Sequence, residues 1–400
     1  MYLIFTTIFI INQITIVSAD CQINPLQIQP CPLITNKNSQ VIYPDSSTHL
    51  TSIETLDKIN IACPGNHLMH QGVPIGESIE VTCETGETFK YQEENVNFYS
   101  LRCESIPKNI VRYTHNKCLE GGEEIEIGYE LTDKGDGFIR QIKICFNSLT
   151  LIPLYSHYNL TKTIGYRDSG VARVFFEENG FYPTSANLDT LYRKDFQRST
   201  INNLLSLPNN SFNYIKPSGE TFINRGHLTA KGDFVYAFQQ LATFHYVNSA
   251  PQWASFNGGN WNEVEISVRD YANRYKADLQ VFTGVHGVSS LSNQYGKTDL
   301  YLHTIKGKML LPVPRLFWKL LYDPERDAGV VLIGVNNAHE LDEGRDIICK
   351  DVFNKISWLN RKLERQHHDI GLGYVYACTV SDFMEVVNTF PRITVSTLLT

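Results

Sequence analysis

The sequence predicts an α+β fold: a small, disulfide-bonded β domain followed by a larger domain that mixes strands and helices. Three observations lead there. Seven of the nine cysteines (Cys21, Cys31, Cys63, Cys83, Cys103, Cys118 and Cys145) precede residue 150, while Cys349 and Cys378 stand alone near the other end. Residues 60–150 carry period-two runs such as Ile79–Cys83 and Gln141–Cys145, with turns at Gly-rich joints. Beyond residue 170, strand-like runs alternate with helical stripes. With 400 residues, 42% of them hydrophobic and 12% aromatic, the chain can bury real cores.

Residues 1–19 read as a signal peptide. The apolar run is broken by Asn12 and Gln13, too short for a membrane span, and Val17-Ser18-Ala19 suits cleavage before Asp20. A leader with many cysteines and no C-x-x-C pair points to disulfides in an oxidising compartment, and against zinc. The simplest partition pairs Cys349 with Cys378 and leaves one front cysteine unpaired or cross-domain. Sequons at Asn159 and Asn209 add glycosylation to a secreted, extracellular reading with no membrane partner. Residues 20–152 form the front domain and 153–400 the second, with the boundary near 149–157. The charge follows that division: 10 Lys+Arg against 18 Asp+Glu over 20–150, and 25 against 24 over 151–400. Phosphate binding must therefore come from local cations, which disfavours a purely electrostatic nucleic-acid-binding module.

In the second domain, 170–176 reads as a strand and 187–203 as loop or irregular helix. Residues 213–223 read as a β-hairpin about Pro217-Ser218-Gly219, with Asn224–His227 at its exit. Helices follow over 231–246 and 258–276, then strands over 279–283 and 330–335 and a helix near 351–366. In the second of these helices Trp261, Val264, Val268, Tyr271, Ala272 and Tyr275 form an apolar stripe. Asn257, Trp261, Glu265 and Arg269 step by four along one edge, and by spacing alone Glu265 and Arg269 are an ordinary i,i+4 pair. Arg225, Gly226 and His227 supply a cation, a close-approach glycine and an imidazole; a lone His there is more often a structural hydrogen-bonder than a base.

Taken together, these two stretches resemble the DNA/RNA non-specific endonuclease family of the ββα-metal superfamily. Arg225, Gly226 and His227 match its Asp-Arg-Gly-His loop; Asn257, Trp261, Glu265 and Arg269 match its second motif at every spacing. Asn248-Ser249-Ala250-Pro251-Gln252 is similar to its Asn-x-x-Pro-Gln segment. Asn224 departs from the common Asp, a variant that resembles secreted arthropod nucleases of double-stranded RNA. The resemblance implies a central, mostly antiparallel sheet flanked by helices. It implies His227 as general base, Asn257 as ligand of Mg²⁺ (Mn²⁺ as an alternative), and Glu265 acting on the metal through water. Arg225 and Arg269 would contact phosphate, with Asn248 also on the substrate side and a further arginine, Arg193 or Arg198, from 187–203. The implied activity is sequence-non-specific cleavage of double-stranded RNA, DNA or both, leaving 5′-phosphates.

Other motifs fall away. Gly296-Lys297-Thr298 lacks the first glycine of a P-loop, and no Gly-x-Ser-x-Gly occurs. His67, His70, His367 and His368 read as solvated surface, and Gly284-Val285-His286-Gly287 as a backbone-shape element. The rival function is a catalytically silent nucleic-acid-binding protein on the same fold; a front domain that binds glycan or protein is compatible with either.

Overall fold

The computed structural model describes residues 19–131, 137–183 and 185–400, so most of the expected leader lies outside the described residues. A nine-stranded sheet forms the centre. Its strands are β1 (Ile110–Lys117), β2 (Glu123–Leu131), β3 (Gly137–Asn147), β4 (Ile152–Leu160), β7 (Leu279–Val288), β8 (Pro314–Asp323), β9 (Ala328–Val335) and β10 (Val375–Cys378), antiparallel in that order; β11 (Thr397–Leu398) runs parallel to β9. Apart from the sheet, β5 (Ile223–His227) and β6 (Ser249–Trp253) form a two-stranded pair, followed by helix α1 (Asn262–Tyr275).

The centre of the sheet is covered on both faces, which is why β9 reads Ala-Gly-Val-Val-Leu-Ile-Gly-Val without polar alternation. Successive residues enter opposite cores. Phe317, Leu321, Val330 and Leu332 pack with Trp261, Val264 and Val268 of the ββα side, whereas Trp318, Leu320, Val331 and Ile333 pack with Phe383 and Phe390. The predicted stripe holds at Trp261, Val264, Val268, Tyr271 and Ala272, all buried; Tyr275 at the helix end is 40% exposed.

Sheet pairing moves the front boundary. Strands β1–β3, assigned from the cysteine count to the front domain, hydrogen-bond onward into β4 and so belong to the large sheet. The front unit that remains holds a five-stranded sheet and a separate core from Cys21 to Cys103, closed by Cys21–Cys83 and Cys63–Cys103. Cys118–Cys145 lies in the large sheet, Cys349–Cys378 forms the expected pair, and Cys31 is the unpaired, buried thiol. The units share a seam: Cys31, Leu33 and Ala62 join the large core, the Tyr236 hydroxyl donates to the Ile42 carbonyl at 2.6 Å, and Gln239 Nε2 donates to the Tyr43 hydroxyl at 2.8 Å.

Local patterning misplaced three elements. The expected hairpin over 213–223 is loop; the strand that forms is 223–227, and its partner is 249–253, a long-range pairing that no turn signal announces. Residues 231–246 break into a 3₁₀ turn (Lys231–Asp233) and a short helix (Ala237–Leu241), because the Asp233 side chain is drawn into tertiary bonds. The helix near 351–366 narrows to Arg361–Gln366, capped by Asn360. Residues 170–176 form no strand and pair with none among the described residues, and 187–203 overlaps the helices Leu188–Leu191 and Lys194–Leu204.

One buried side chain fastens the β5–β6 pair to the sheet. Asn336, just past β9, donates to the carbonyls of Pro251 (3.0 Å) and Pro314 (2.8 Å) and accepts from the Trp253 amide (2.9 Å). Asn336→Ala strands these groups without water, and urea unfolding should register a loss of about 2–4 kcal/mol. A loss below ~1 kcal/mol would show that the attachment lies elsewhere.

Candidate active site

The site is built on β5, β6 and the turn into α1. Gly226 stands opposite Ala250 in the pair, and a Cβ there would collide with the Gln252 side chain, so the position requires glycine for close approach. Asn248 is fully buried. Its Oδ1 accepts from the Thr229 amide (3.0 Å) and its Nδ2 donates to the carbonyls of Thr229 (3.0 Å) and Thr243 (2.9 Å). The expected substrate contact at Asn248 is therefore corrected: it is a strut that fixes the chain immediately after His227, with no free amide group to offer.

An open cleft of about 530 Å³ is lined by Arg173–Phe176, Asp189, Asn224, Arg225, Phe244 and Asn257. His227 forms part of the packing behind it, 9% exposed, its ring 4.9 Å from Phe176 and 5.0 Å from Phe244. Its Nε2 is buried and meets no hydrogen-bond partner among the described residues. Burial drives the imidazole pKa down to about 3, and the nearby charges of Arg173 and Lys231 push the same way. His227 is consequently neutral near pH 7, and its Nε2 is free of partners among the described residues.

Arg225 reaches the cleft held on both sides. Its Nε donates to the Tyr246 hydroxyl (2.7 Å), and its terminal nitrogen pairs with Asp189 (2.6 Å), which also accepts from Tyr246 (2.6 Å). Asp189 is 76% exposed, so its claim on the guanidinium is weakly desolvated and open to competition from a phosphate. Neither Arg193, paired with Asp195, nor Arg198, bonded to the Ile215 carbonyl, lines the cleft; the second cation there is Arg173.

The four-residue ladder on the second motif is not one straight helical edge. Asn257–Trp261 forms a π turn, with Gly259 at φ −94°, ψ −120°, before α1 begins. That break separates Asn257, which faces the cleft, from Glu265 and Arg269, which do not line it. Arg269 is corrected from phosphate contact to a buried tie: its side chain is 10% exposed and pairs with the buried Asp233 at 2.8 Å, with Glu265 at 4.0 Å. Asp233 also accepts from the Tyr158 hydroxyl, and the fully buried Lys319 donates to Tyr158 (3.3 Å) and Thr283 (2.7 Å). Burial and the Asp233 charge raise Glu265 to about 7, against the pull of Arg269, Lys319 and Arg173. Sequence reasoning missed Asp233, Asp189, Arg173 and Lys319. Only Lys319 left a signal, a lone lysine inside the apolar run Leu316-Phe317-Trp318-Lys319-Leu320-Leu321.

Among the described residues no group of three or more His, Cys, Asp or Glu side chains is placed to hold a metal ion. The cleft's oxygen donors are the amides of Asn224 and Asn257 and the Asp189 carboxylate. Such a sparse, hard donor set fits a cation that keeps most of its waters. Asn159 and Asn209 are both exposed.

A ββα unit thus sets a neutral imidazole behind a cleft lined by two arginines and two asparagine amides, an arrangement suited to phosphodiester chemistry. The sequence model of the DNA/RNA non-specific endonucleases matches residues 121–383, and the chain belongs to that family of phosphodiester hydrolases. It is 30% identical over 336 residues to the salivary endonuclease of Lutzomyia longipalpis, covering 84% of this chain and 74% of that protein. It is 22% identical over 398 residues to the salivary protein Tsal1 of Glossina morsitans morsitans, covering 95% and 93%.

Two outcomes follow from these environments. In an NMR titration His227 should stay neutral below pH 5, where an exposed imidazole titrates near 6.5; a His227 midpoint at or above 6.5 would contradict the buried setting. Asp233→Ala leaves the buried Arg269 only its 4.0 Å contact with Glu265 and should cost about 3–5 kcal/mol, part of it recovered in Asp233→Ala/Arg269→Met. Simple additivity of the two substitutions in urea unfolding would show that the residues are not coupled.

Proposed function

We propose that the protein is a secreted, Mg²⁺-dependent, sequence-non-specific endonuclease of double-stranded RNA, DNA or both, leaving 5′-phosphate and 3′-hydroxyl ends. The observation that carries this reading is the neutral His227, its Nε2 unpartnered, behind a cleft lined by Arg173, Arg225 and Asn257. His227 takes the proton of the water that attacks phosphorus. Arg225 exchanges Asp189 for a non-bridging phosphate oxygen, and Arg173 adds charge on the same wall. Asn257 is the residue that would hold the metal, which supplies neutralisation of the charge developing on the phosphate and leaving 3′-oxygen. Glu265 does not line the cleft and would act on the metal only through intervening water. Because water and not a 2′-hydroxyl attacks, the chemistry applies to DNA as well as RNA.

Export is supported by the leader-like residues 1–19, four disulfides and the salivary designation of the relatives. Exposed Asn159 and Asn209 are proposed glycan sites.

Purified protein should degrade duplex RNA and plasmid DNA with Mg²⁺, stop in EDTA, and lose about 10²–10⁴-fold in rate on His227→Ala with its melting curve intact. A His227→Ala protein that cleaves at the wild-type rate sinks the mechanism.

A further inference from the structure

Phe175 stands apart from every other residue of the cleft. Its ring is 94% exposed, beside Val174 at 47%, whereas the other two rings of the wall, Phe176 and Phe244, are packed inward among its arginines, amides and carboxylate. Exposure at a loose loop tip would carry no meaning, but this segment is pinned along its length. The Asp168 amide bonds the Val235 carbonyl (2.9 Å), and Lys231 Nζ donates to the Val171 carbonyl. Arg173 lies 5.4 Å from the Phe244 ring centre, and Phe176 packs on His227, Phe244 and Tyr246. The Glu177 amide bonds the Phe244 carbonyl (3.0 Å), and the Tyr246 amide bonds that of Glu177 (2.9 Å). A flat apolar ring is thus presented on a fixed backbone next to two phosphate-seeking cations, at little entropic cost to a ligand that covers it.

From this arrangement, and resting on the nuclease reading of the cleft, we propose that Phe175 is a nucleobase-stacking residue: its ring packs on the face of a base neighbouring the phosphate bound by Arg173 and Arg225. The occupant follows from the combination. Cations alone suit any polyanion, and an exposed phenyl alone suits any apolar surface. A strand whose bases are unstacked at the bound phosphate offers π-faces between phosphates and satisfies both. Stacking of this kind is indifferent to base identity, because every base has a π-face, so Phe175 adds affinity without sequence preference.

The test compares a 20-nucleotide single strand with a 20-unit oligomer of the same phosphate backbone carrying tetrahydrofuran abasic residues throughout, in Mg²⁺. Wild type should show a lower KM for the base-bearing strand. Phe175→Ala should collapse that preference by about tenfold or more, mainly through KM, and Phe175→Trp should retain it. Equal KM shifts on both substrates, no shift on either, or a Phe175→Trp protein that behaves as Phe175→Ala would overturn the proposal. Failure of the nuclease reading has a different signature: wild type cleaves neither the strand nor duplex nucleic acid, or His227→Ala cleaves as fast as wild type.

Discussion

The Asp233–Arg269 ion pair is the constraint on which the site depends. Two charges taken out of water are tolerable only when each is multiply bonded. Asp233 satisfies this with Arg269 from α1 and Tyr158 from β4, while Lys319 of β8 closes the network through Tyr158. One carboxylate therefore gathers the helix, two strands of the sheet and the segment that leaves His227. Glu265 sits at the edge of this arrangement, its carboxyl pushed up first by burial and then by the Asp233 charge.

Arg225 and Arg269 illustrate how differently the same side chain can be used within one motif. Arg269 is enclosed and its partner is buried, so exchanging that partner for substrate would strand Asp233. Arg225 is bonded to an exposed carboxylate and flanked by the rings of Tyr192, Tyr246 and Phe176, which hold the guanidinium in place while leaving its partner replaceable. Burial of the counter-ion, rather than of the arginine, separates a tie from a ligand.

Part of the site was legible in the sequence: of the motif residues, Arg225 and Asn257 line the cleft and His227 packs behind it, whereas Glu265 does not line it. Legible too were the apolar stripe of α1 and the strands over 279–283 and 330–335, which fall within Leu279–Val288 and Ala328–Val335. What stayed hidden depends on tertiary partners. Pairing of 223–227 with 249–253 spans too many residues for a turn signal. Asn248 and Arg269 carry polar groups that suit substrate or scaffold equally, and only their buried partners decide for scaffold. The front boundary was misread because disulfide density tracks export and not domain membership; Cys118, just past β1, is bonded to Cys145 of β3 in the large sheet.

The seam between the two units changes what the first hundred residues mean. Leu33 and Ala62 contribute to the same core as the ββα unit, and the Tyr236 and Gln239 side chains find their acceptors on residues 42 and 43. Cys31 is enclosed in that seam with its thiol pushed up by burial, so it stays protonated and chemically quiet. The front unit is in this respect a wall of the enzyme and not an accessory attached to it. An evolutionary lineage that lost it would have to rebuild an apolar surface before it could keep the nuclease.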